Sequence, residues 1–423
     1  MLSDAAHRTR AQDDLATRFM ATRTLSVSLT APLSDADATV QSMPDASPAK
    51  WHLAHTTWFF ESFVLRDHVP TYRLHDERWA HLFNSYYEAE GPRHPRPQRG
   101  LLTRPTLNEI LGWRAEVDYA VTAALPTLGE AGRALVELGI QHEQQHQELL
   151  LTDILHLFSA NPLAPALWEA QVHPPAPPPG PIDWIEGRHG IVEIGAGSDG
   201  FAFDCEGPRH PVMVARHALA DRLATNGEWR QFIADGGYAR PELWLSDGWA
   251  WVQAEGVEAP LYWRRERDDW AAFGLDGLRA VEDAAPVTHV SFYEADAFAR
   301  WSGARLPTEP EWESAAQAFD PLSGNQLDRP GPAQPAPAPD GPGLHQMFGD
   351  VWEWTASAYL AFPGFRPAAG AVGEYNGKFM SGQFVLKGGS CVTPRGHVRA
   401  SYRNFFYPHQ RWQFTGVRLA QDR

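Results

Sequence analysis

The first part of the chain has the character of amphipathic helices. Residues 13–28, 51–66, 107–125 and 131–158 are each long enough for a helix, and in the last of them apolar residues recur at steps of three and four. That period places the apolar side chains on one face of a helix. Four such segments predict an antiparallel four-helix bundle.

The pattern changes at a proline-rich run, residues 173–182, which can form neither a helix nor a central strand. Beyond it, glycine, tryptophan and short strand-like segments such as 190–195 and 382–392 take over. We therefore expect a multi-domain chain, with a helical bundle over residues 1–172, a linker over 173–182 and a second domain over 183–423. A chain of 423 residues is long enough for each domain to have its own core.

Composition narrows the class of partner. The chain has 36 basic and 52 acidic residues and a net charge of −16, which argues against nucleic acid or an anionic membrane as the main partner. It has no apolar run of the ~20 residues that a membrane span needs, and residues 1–23 lack the apolar core of a signal peptide. Two distant cysteines, Cys205 and Cys391, do not make a disulfide scaffold. We expect a cytoplasmic protein that acts on small molecules.

The sequence HEQQH at residues 142–146 lies within the last predicted helix. Residues four apart share a helix face, so His142 and His146 can bind one metal ion. Neutral nitrogen donors suit iron, zinc or copper. A third ligand is sought in the aromatic segment 51–60, where His52 and His55 are three residues apart. The alternative is a solvated helix face that happens to carry two histidines.

The same five residues also fit the HExxH pattern of zinc hydrolases, in which Glu143 would be the general base. The extended form of that pattern has a glycine three residues after the second histidine, and Leu149 occupies this position. A zinc hydrolase is therefore kept as a remote alternative.

Four segments of the second half resemble, in their order, the formylglycine-generating-enzyme fold, an α+β domain of the C-type-lectin-like kind. They are RLPTEPEWE at residues 305–313, GDVWEW at 349–354, LKGGS at 386–390 and FTGVRL at 414–419. In the first of them, Thr308 followed by Glu311 is the pattern of a capped helix start.

Together with LAH at residues 53–55 and HEQQH at 142–146, these segments resemble the non-haem iron enzymes that process hercynine (N-trimethylated histidine), namely the sulfoxide synthases of ergothioneine biosynthesis and selenoneine synthase. The resemblance implies a DinB-like bundle followed by the α+β domain. It also implies Fe(II) held by His55, His142 and His146, dioxygen as co-substrate and hercynine as substrate. His52 is then a structural residue.

The resemblance further implies roles for residues around the metal. Gln145 would orient the imidazole of hercynine, and Tyr86 or Tyr87 would deliver a proton during catalysis. Arg96 and Arg99, in the loop RHPRPQRG at residues 93–100, match the arginines that bind the donor's carboxylate. The segment YRNFF at 402–406 matches the hercynine-binding strip, which consists of Asn404, Phe405 and Phe406.

One departure from the family pattern concerns the donor. Sulfur-using relatives carry Met-Cys-Asn-Gln after Gly-Lys-Phe, whereas this chain reads GKFMSGQ at residues 377–383. Ser381 and Gly382 lack the thiol and the amide and leave more space for a donor. We therefore expect a selenosugar donor, as in selenoneine synthase. The alternative donors are cysteine and γ-glutamylcysteine. In that case Ser381 and Gly382 are the result of neutral sequence drift in a surface turn.

Overall fold

The computed structural model describes residues 2–85, 87–171, 176–267, 269–368, 373 and 376–423, with side chains from residue 14 onward. The chain divides into two compact units. The N-terminal unit comprises Met1–Pro162 with Arg329–Gly331, and the C-terminal unit comprises Leu163–Asp328 with Pro332–Arg423. The linker and domain limits deduced from the sequence stay a prediction.

The N-terminal unit is helical, as predicted. Its α-helices are α1 (Leu2–Thr30), α2 (Asp35–Thr39), α3 (Ala49–Phe59), α4 (Trp79–Phe83), α5 (Leu107–Ala124) and α6 (Glu130–Ser159). Helix α3 continues as a π-helical segment, Phe60–Arg66, and tight 3₁₀ turns cover Glu88–Glu90 and Arg96–Leu101. No helix among the described residues is long and apolar enough to cross a membrane.

Helices α3 and α6 form the centre of the bundle. Helix α3 packs against α5 and α6, and α1 packs along α6. Gly139 lies where α6 meets the rings of Phe59 and Phe60, and a Cβ atom at this position would collide with Phe60. Glycine at this position therefore leaves room for the ring of Phe60, at the start of the π-helical segment, and the polar residues one turn further along α6 lie close to α3.

The C-terminal unit is an α+β domain, as expected. Its helices are α7 (Asn226–Ala234), α8 (Ser246–Glu255), α9 (Phe292–Trp301) and α10 (Glu309–Ala316). Its strands are β1 (Trp184–Glu186), β2 (Gly190–Ile194), β3 (His210–Val214), β4 (His217–Ala220), β5 (Trp263–Glu266), β6 (Asp269–Gly274), β7 (Gly277–Ala280), β8 (Trp352–Ala358), β9 (Phe384–Lys387), β10 (Asn404–Phe406), β11 (Thr415–Gly416) and β12 (Ala420–Asp422).

These strands form small, mostly antiparallel sheets. The four-stranded sheet has the order β10-β9-β8-β11, and its β11–β8 pair is parallel. Three-stranded sheets have the orders β1-β4-β12 and β5-β6-β7, and β2 pairs with β3. The predicted start of α10 is confirmed, because the backbone N–H of Thr308 donates to the Glu311 carboxylate at 2.8 Å while the Thr308 hydroxyl accepts from Glu311 N–H.

The four family-like segments meet in the core of the C-terminal unit as buried ion pairs. Arg418 donates to Glu353 at 2.7 Å, which joins the fourth segment to the second. Lys387 donates to Glu313 at 3.0 Å, which joins the third segment to the first. All four side chains are at most 1% exposed. Two buried ion pairs thus connect the four segments pairwise, and removal of one partner would be strongly destabilising because it would leave a buried charge unpaired.

Candidate metal centre

Three histidines converge in the core of the N-terminal unit. His142 and His146 lie one turn apart on α6, and His55 lies on α3, which packs against α6. One ring nitrogen from each of the three lies within 4.8 Å of the other two. The side chains are buried, with relative exposures of 0% for His55, 6% for His142 and 9% for His146. The predicted convergence of His55 with the helical pair is therefore present in the structure.

The hydrogen bonds of His55 determine which of its nitrogens is open. Its Nδ1 lies 2.5 Å from the carbonyl oxygen of Phe83, so Nδ1 carries the proton and donates. Nε2 is buried and has no hydrogen-bond partner among the described residues. The ring is held by stacking on Trp51 and Trp58, at centroid distances of 4.7 and 5.6 Å. A fixed ring with a bare, buried Nε2 is what a metal ligand requires.

His142 resembles His55 in having an open nitrogen. Its Nδ1 is buried, with no hydrogen-bond partner among the described residues. Burial lowers the pKa of His142 to about 4. Burial, reinforced by the neighbouring His142, also holds the pKa values of His55 and His146 well below 6.5. All three imidazoles are therefore neutral near pH 7, and neutral imidazole is the form that binds iron, zinc or copper.

Glu143, the would-be general base of the HExxH alternative, belongs to a buried ion cluster. Its carboxylate accepts hydrogen bonds from Arg23 at 2.7 Å, from Ser26 at 2.5 Å and from Arg114. Burial opposes ionisation of this carboxyl, but Arg114 and Arg23 outweigh burial and hold its pKa at about 2. A carboxylate so engaged is a poor acceptor for a proton from water, so the structure argues against the zinc-hydrolase alternative.

Of the two predicted donor-binding arginines, Arg99 lies near the histidines. It is buried, its guanidinium stacks on Trp51 at 3.3 Å from the ring centroid, and it donates to the hydroxyls of Ser47 and Ser85 at 2.9 and 3.2 Å. Its positive charge also lowers the pKa values of His55 and His146, although burial and the neighbouring His142 lower them more. Arg96 is half-buried and donates to the carbonyl of Asp45.

The structure describes Tyr87, one of the two predicted catalytic tyrosines. Tyr86 lies outside the described residues. Tyr87 is buried and its ring lies 5.6 Å from that of Trp58, the tryptophan that stacks on His55. Gln145, predicted to orient the substrate ring, is half-buried on α6 next to His146.

The remaining predicted residues lie in the C-terminal unit and are neighbours there. Asn404, Phe405 and Phe406 form β10, and Phe406 is paired with Phe384 of β9, two residues after Gly382. Phe405 stacks on Tyr359 at 4.1 Å. Ser381 and Gly382 are exposed, and Gly382 has a φ of +72°. The predicted hercynine-binding strip and the predicted donor-binding loop thus occupy adjacent positions in this unit.

Two residues near the histidines had a different or no assignment from the sequence. His52, considered structural, has Nδ1 2.8 Å from Nδ1 of His146 and Nε2 3.0 Å from Oδ2 of Asp153. Asp153 was not singled out. It lies seven residues after His146, two turns along the same face of α6, and this spacing is the signal that could have identified it.

Comparison with known proteins identifies the class of both parts of the chain. Residues 18–150 match the DinB superfamily model, and residues 183–331 and 325–423 match that of the sulfatase-modifying factor enzyme 1-like domain. The formylglycine-generating enzyme of Thermomonospora curvata is 28% identical, over 54% of this chain and 89% of that enzyme. The fold and site therefore define a DinB-like bundle with a buried histidine cluster, followed by a domain of the sulfatase-modifying-factor kind.

Full-length relatives make the assignment more specific. The hercynine oxygenases of Mycolicibacterium smegmatis and Mycobacterium tuberculosis are each 34% identical to this chain, and each alignment covers 92% of the chain and 94% of the relative. The chain belongs to the hercynine oxygenase family.

Proposed function

We propose that this chain is an O2-dependent, non-haem Fe(II) enzyme that forms a carbon–chalcogen bond at C2 of the hercynine imidazole. The observation that carries the proposal is the cluster of three buried, neutral histidines, in which Nε2 of His55 and Nδ1 of His142 have no hydrogen-bond partner among the described residues. Other buried polar atoms of the described residues also lack a partner, but here three neutral imidazoles each offer a ring nitrogen within 4.8 Å of the other two, which is the arrangement of a metal ligand set. The family relatives, named hercynine oxygenases, supply the substrate.

The donor set fits the proposed metal. Three neutral nitrogen ligands satisfy Fe(II) while leaving positions open for substrates, which structural metal sites do not. His55, His142 and His146 would hold the ion. Bound Fe(II) would supply the activation of dioxygen, and the surrounding residues bind, orient and exchange protons with the two organic substrates.

The overall reaction balances in either branch. For a thiol donor, the C2–H and S–H bonds break, a C–S bond forms, one oxygen atom is added to sulfur and the other leaves as water. Dioxygen thereby accepts four electrons. For a selenol donor that yields a selenoether, the C2–H and Se–H bonds break, a C–Se bond forms and dioxygen accepts two electrons and two protons to leave as hydrogen peroxide.

The roles of the other residues follow from their chemistry. We assign Arg99 to the donor, because its guanidinium is fixed by Trp51 and by two serine hydroxyls, and such a fixed planar cation suits a polar or anionic group; Arg96 is assigned with it. Tyr87 or Tyr86 would handle a proton. Gln145, Asn404, Phe405 and Phe406 are assigned to hercynine, whose trimethylammonium group favours aromatic faces.

For the donor we favour a selenosugar. Ser381 is exposed and offers a hydroxyl where the sulfur-using pattern has a thiol, and Gly382 adds no side chain, so the loop leaves space for a donor larger than cysteine.

The competing assignment is an ergothioneine sulfoxide synthase that uses cysteine or γ-glutamylcysteine. One observation favours it: the φ of +72° at Gly382 is a conformation that both glycine and asparagine adopt readily. The replacement of asparagine by glycine at this position is then a matter of turn geometry and says nothing about the donor.

The test is a reconstitution of the whole chain with Fe(II) under anaerobic conditions, followed by oxygen in the presence of hercynine. A selenosugar, cysteine and γ-glutamylcysteine are offered separately, and products are identified by mass spectrometry. The variant His142→Ala serves as the control for iron-independent chemistry.

We expect a hercynine–selenium adduct to form much faster than any sulfur adduct. A hercynine–cysteine sulfoxide as the main product would assign the sulfur branch instead. The absence of any hercynine product with all three donors would contradict the proposed function.

A further inference from the structure

We propose that His52 and Asp153 are positioning residues of the metal centre, which fix the proton of His146 on Nδ1 and so keep its Nε2 open for the metal. The inference rests on the proposed function, because it concerns the metal assigned there. Neither residue belongs to the three-histidine ligand set. Both would act through His146 rather than by touching the metal or a substrate.

The three side chains form an unbroken hydrogen-bonded chain inside the bundle. Nδ1 of His146 lies 2.8 Å from Nδ1 of His52, and Nε2 of His52 lies 3.0 Å from Oδ2 of Asp153. The same Oδ2 accepts the backbone N–H of Ser47 at 2.7 Å. Their relative exposures are 9%, 3% and 6% for His146, His52 and Asp153, so water has little access to compete for these bonds.

The directions of these hydrogen bonds follow from what each group can do. A carboxylate only accepts, so Nε2 of His52 must carry the proton that is shared with Asp153. In the neutral form of His52 this is the only N–H of the ring, so its Nδ1 is bare and can only accept. The proton between the two rings therefore belongs to Nδ1 of His146, and Nε2 of His146 is left bare.

His55 provides an internal comparison. Its Nδ1 proton is held by the backbone carbonyl of Phe83, and its Nε2 is bare. A backbone carbonyl and a His–Asp pair thus give the same result at two of the three histidines, which is to fix the proton on Nδ1. Outer partners of this kind orient a ligand ring and raise its basicity, and their loss costs roughly 10–100-fold in metal affinity.

The chain offers a graded set of variants. In His52→Asn, the side-chain oxygen can still accept from Nδ1 of His146, although the link to Asp153 is lost. His52→Leu removes both links. His156→Asn is a matched control, because His156 also lies on α6 and its Nδ1 bonds a side chain, Ser42 Oγ at 2.7 Å, without belonging to the cluster. Asp153→Asn keeps an acceptor for His52 and removes the charge.

The experiment measures Fe(II) affinity by anaerobic competition with a chromogenic chelator and, separately, the visible absorption spectrum of each variant loaded with Co(II). The spectrum reports ligand geometry, which a loss of general stability would not change. We expect His52→Leu to bind Fe(II) roughly 10–100-fold more weakly with altered Co(II) bands. His52→Asn should fall between His52→Leu and the wild type, and His156→Asn should match the wild type.

Wild-type affinity and an unchanged Co(II) spectrum in His52→Leu would overturn the proposal. If circular dichroism shows that His52→Leu does not fold, His52→Asn and Asp153→Asn decide: altered Co(II) bands in them support the positioning role, and wild-type behaviour in both overturns it. A wild-type chain that binds no Fe(II) would instead contradict the proposed function itself, so the two failures are distinguishable.

Discussion

Two neighbouring positions on α6 differ in how their polar side chains are satisfied. His142 and Glu143 are adjacent in sequence and almost equally buried, at 6% and 1%. The carboxylate of Glu143 is engaged by Arg23, Arg114 and Ser26, whereas Nδ1 of His142 has no partner among the described residues. The glutamate therefore belongs to the architecture of the bundle, and the histidine has a bonding position left for a ligand.

The comparison shows that residues of one sequence motif can have separate structural roles. Within HEQQH, the HExxH pattern of zinc hydrolases would group the two histidines with the glutamate as one catalytic unit. The hydrogen bonds separate them, because a group whose bonding capacity is used within the fold stabilises the fold, and a buried group with unused capacity is costly unless something binds it.

The largest effect is expected from removing a ligand. His55→Ala, His142→Ala and His146→Ala should each remove Fe(II) binding and with it the oxidation of hercynine, a loss greater than the roughly 10–100-fold that outer partners cost. Iron content after anaerobic loading and oxygen uptake with hercynine are the measurements. His156→Ala, on the same helix, should keep both; equal losses in this control would mean that the effect is not specific to the cluster.

The next effect concerns the stability of the ion cluster. Glu143→Ala leaves Arg23 and Arg114 buried without their shared carboxylate, so we expect the free energy of unfolding to fall by about 3–5 kcal/mol. Urea denaturation measures it. The comparison is with Glu137→Ala, since Glu137 pairs with Arg18 at a more exposed position, where side-chain exposures are 22% and 41%, and should contribute about 1 kcal/mol or less. Similar losses in the two variants would contradict the account of the cluster.

A third prediction concerns a buried histidine of the C-terminal unit that is not a ligand. His289 donates from Nδ1 to the carbonyl of Gln413 at 2.9 Å, and burial lowers its pKa to about 3 from 6.5. As the pH falls, His289 of the unfolded chain is protonated near pH 6.5, whereas His289 of the folded chain stays neutral until about pH 3. The stability associated with neutral His289 is therefore fully present above pH 6.5 and is lost as the pH falls toward 3. The loss should reach roughly 2 kcal/mol by pH 5.

The measurement is urea unfolding at pH 7 and pH 5 for the wild type and for His289→Gln, whose amide can still donate to Gln413. We expect the variant to lose less stability on acidification than the wild type, and its Fe(II) affinity to be unchanged. An identical pH dependence in the two proteins would show that His289 does not titrate in this way.

The smallest effect is expected at Arg99. Lysine at this position keeps the charge, but it loses the planar stacking on Trp51 and the paired hydrogen bonds to the hydroxyls of Ser47 and Ser85. We expect the KM for the preferred donor to rise about tenfold, or about 1.4 kcal/mol, with Fe(II) affinity unchanged. Steady-state kinetics with varied donor measure this. Arg96→Lys, at a half-buried position, should change KM less; the reverse order would exchange the roles of the two arginines.

The sequence was sufficient to predict the long helices of the N-terminal unit, but not most of the side-chain contacts between them. The predicted segments 107–125 and 131–158 agree with α5 and α6 to within one residue, and a capping box of Thr106 and Glu109 marks the start of α5. Helix α1 begins at Leu2 rather than at residue 13, because residues 2–12 are rich in alanine and arginine, which favour helix without giving an apolar stripe.

The candidate site could likewise be predicted only in part from the sequence. The spacing of His142 and His146 predicted a shared face, but choosing His55 over His52 needed the family resemblance. The partners of His52 and Glu143 could not be predicted, because they depend on how α1, α3 and α5 are rotated against α6. That rotation is determined by packing between segments 29 to 120 residues apart in sequence, as in the bonds from Glu143 to Arg114 and Arg23.

The most direct test of the division within HEQQH is an anaerobic Fe(II) titration of three forms of the whole chain: the wild type, His142→Ala and Glu143→Gln. The account predicts one Fe(II) per chain for the wild type and for folded Glu143→Gln, and no tight binding for His142→Ala. Wild-type binding by His142→Ala, or its loss in a folded Glu143→Gln, would contradict the assignment of the histidines to the metal and of the glutamate to the fold.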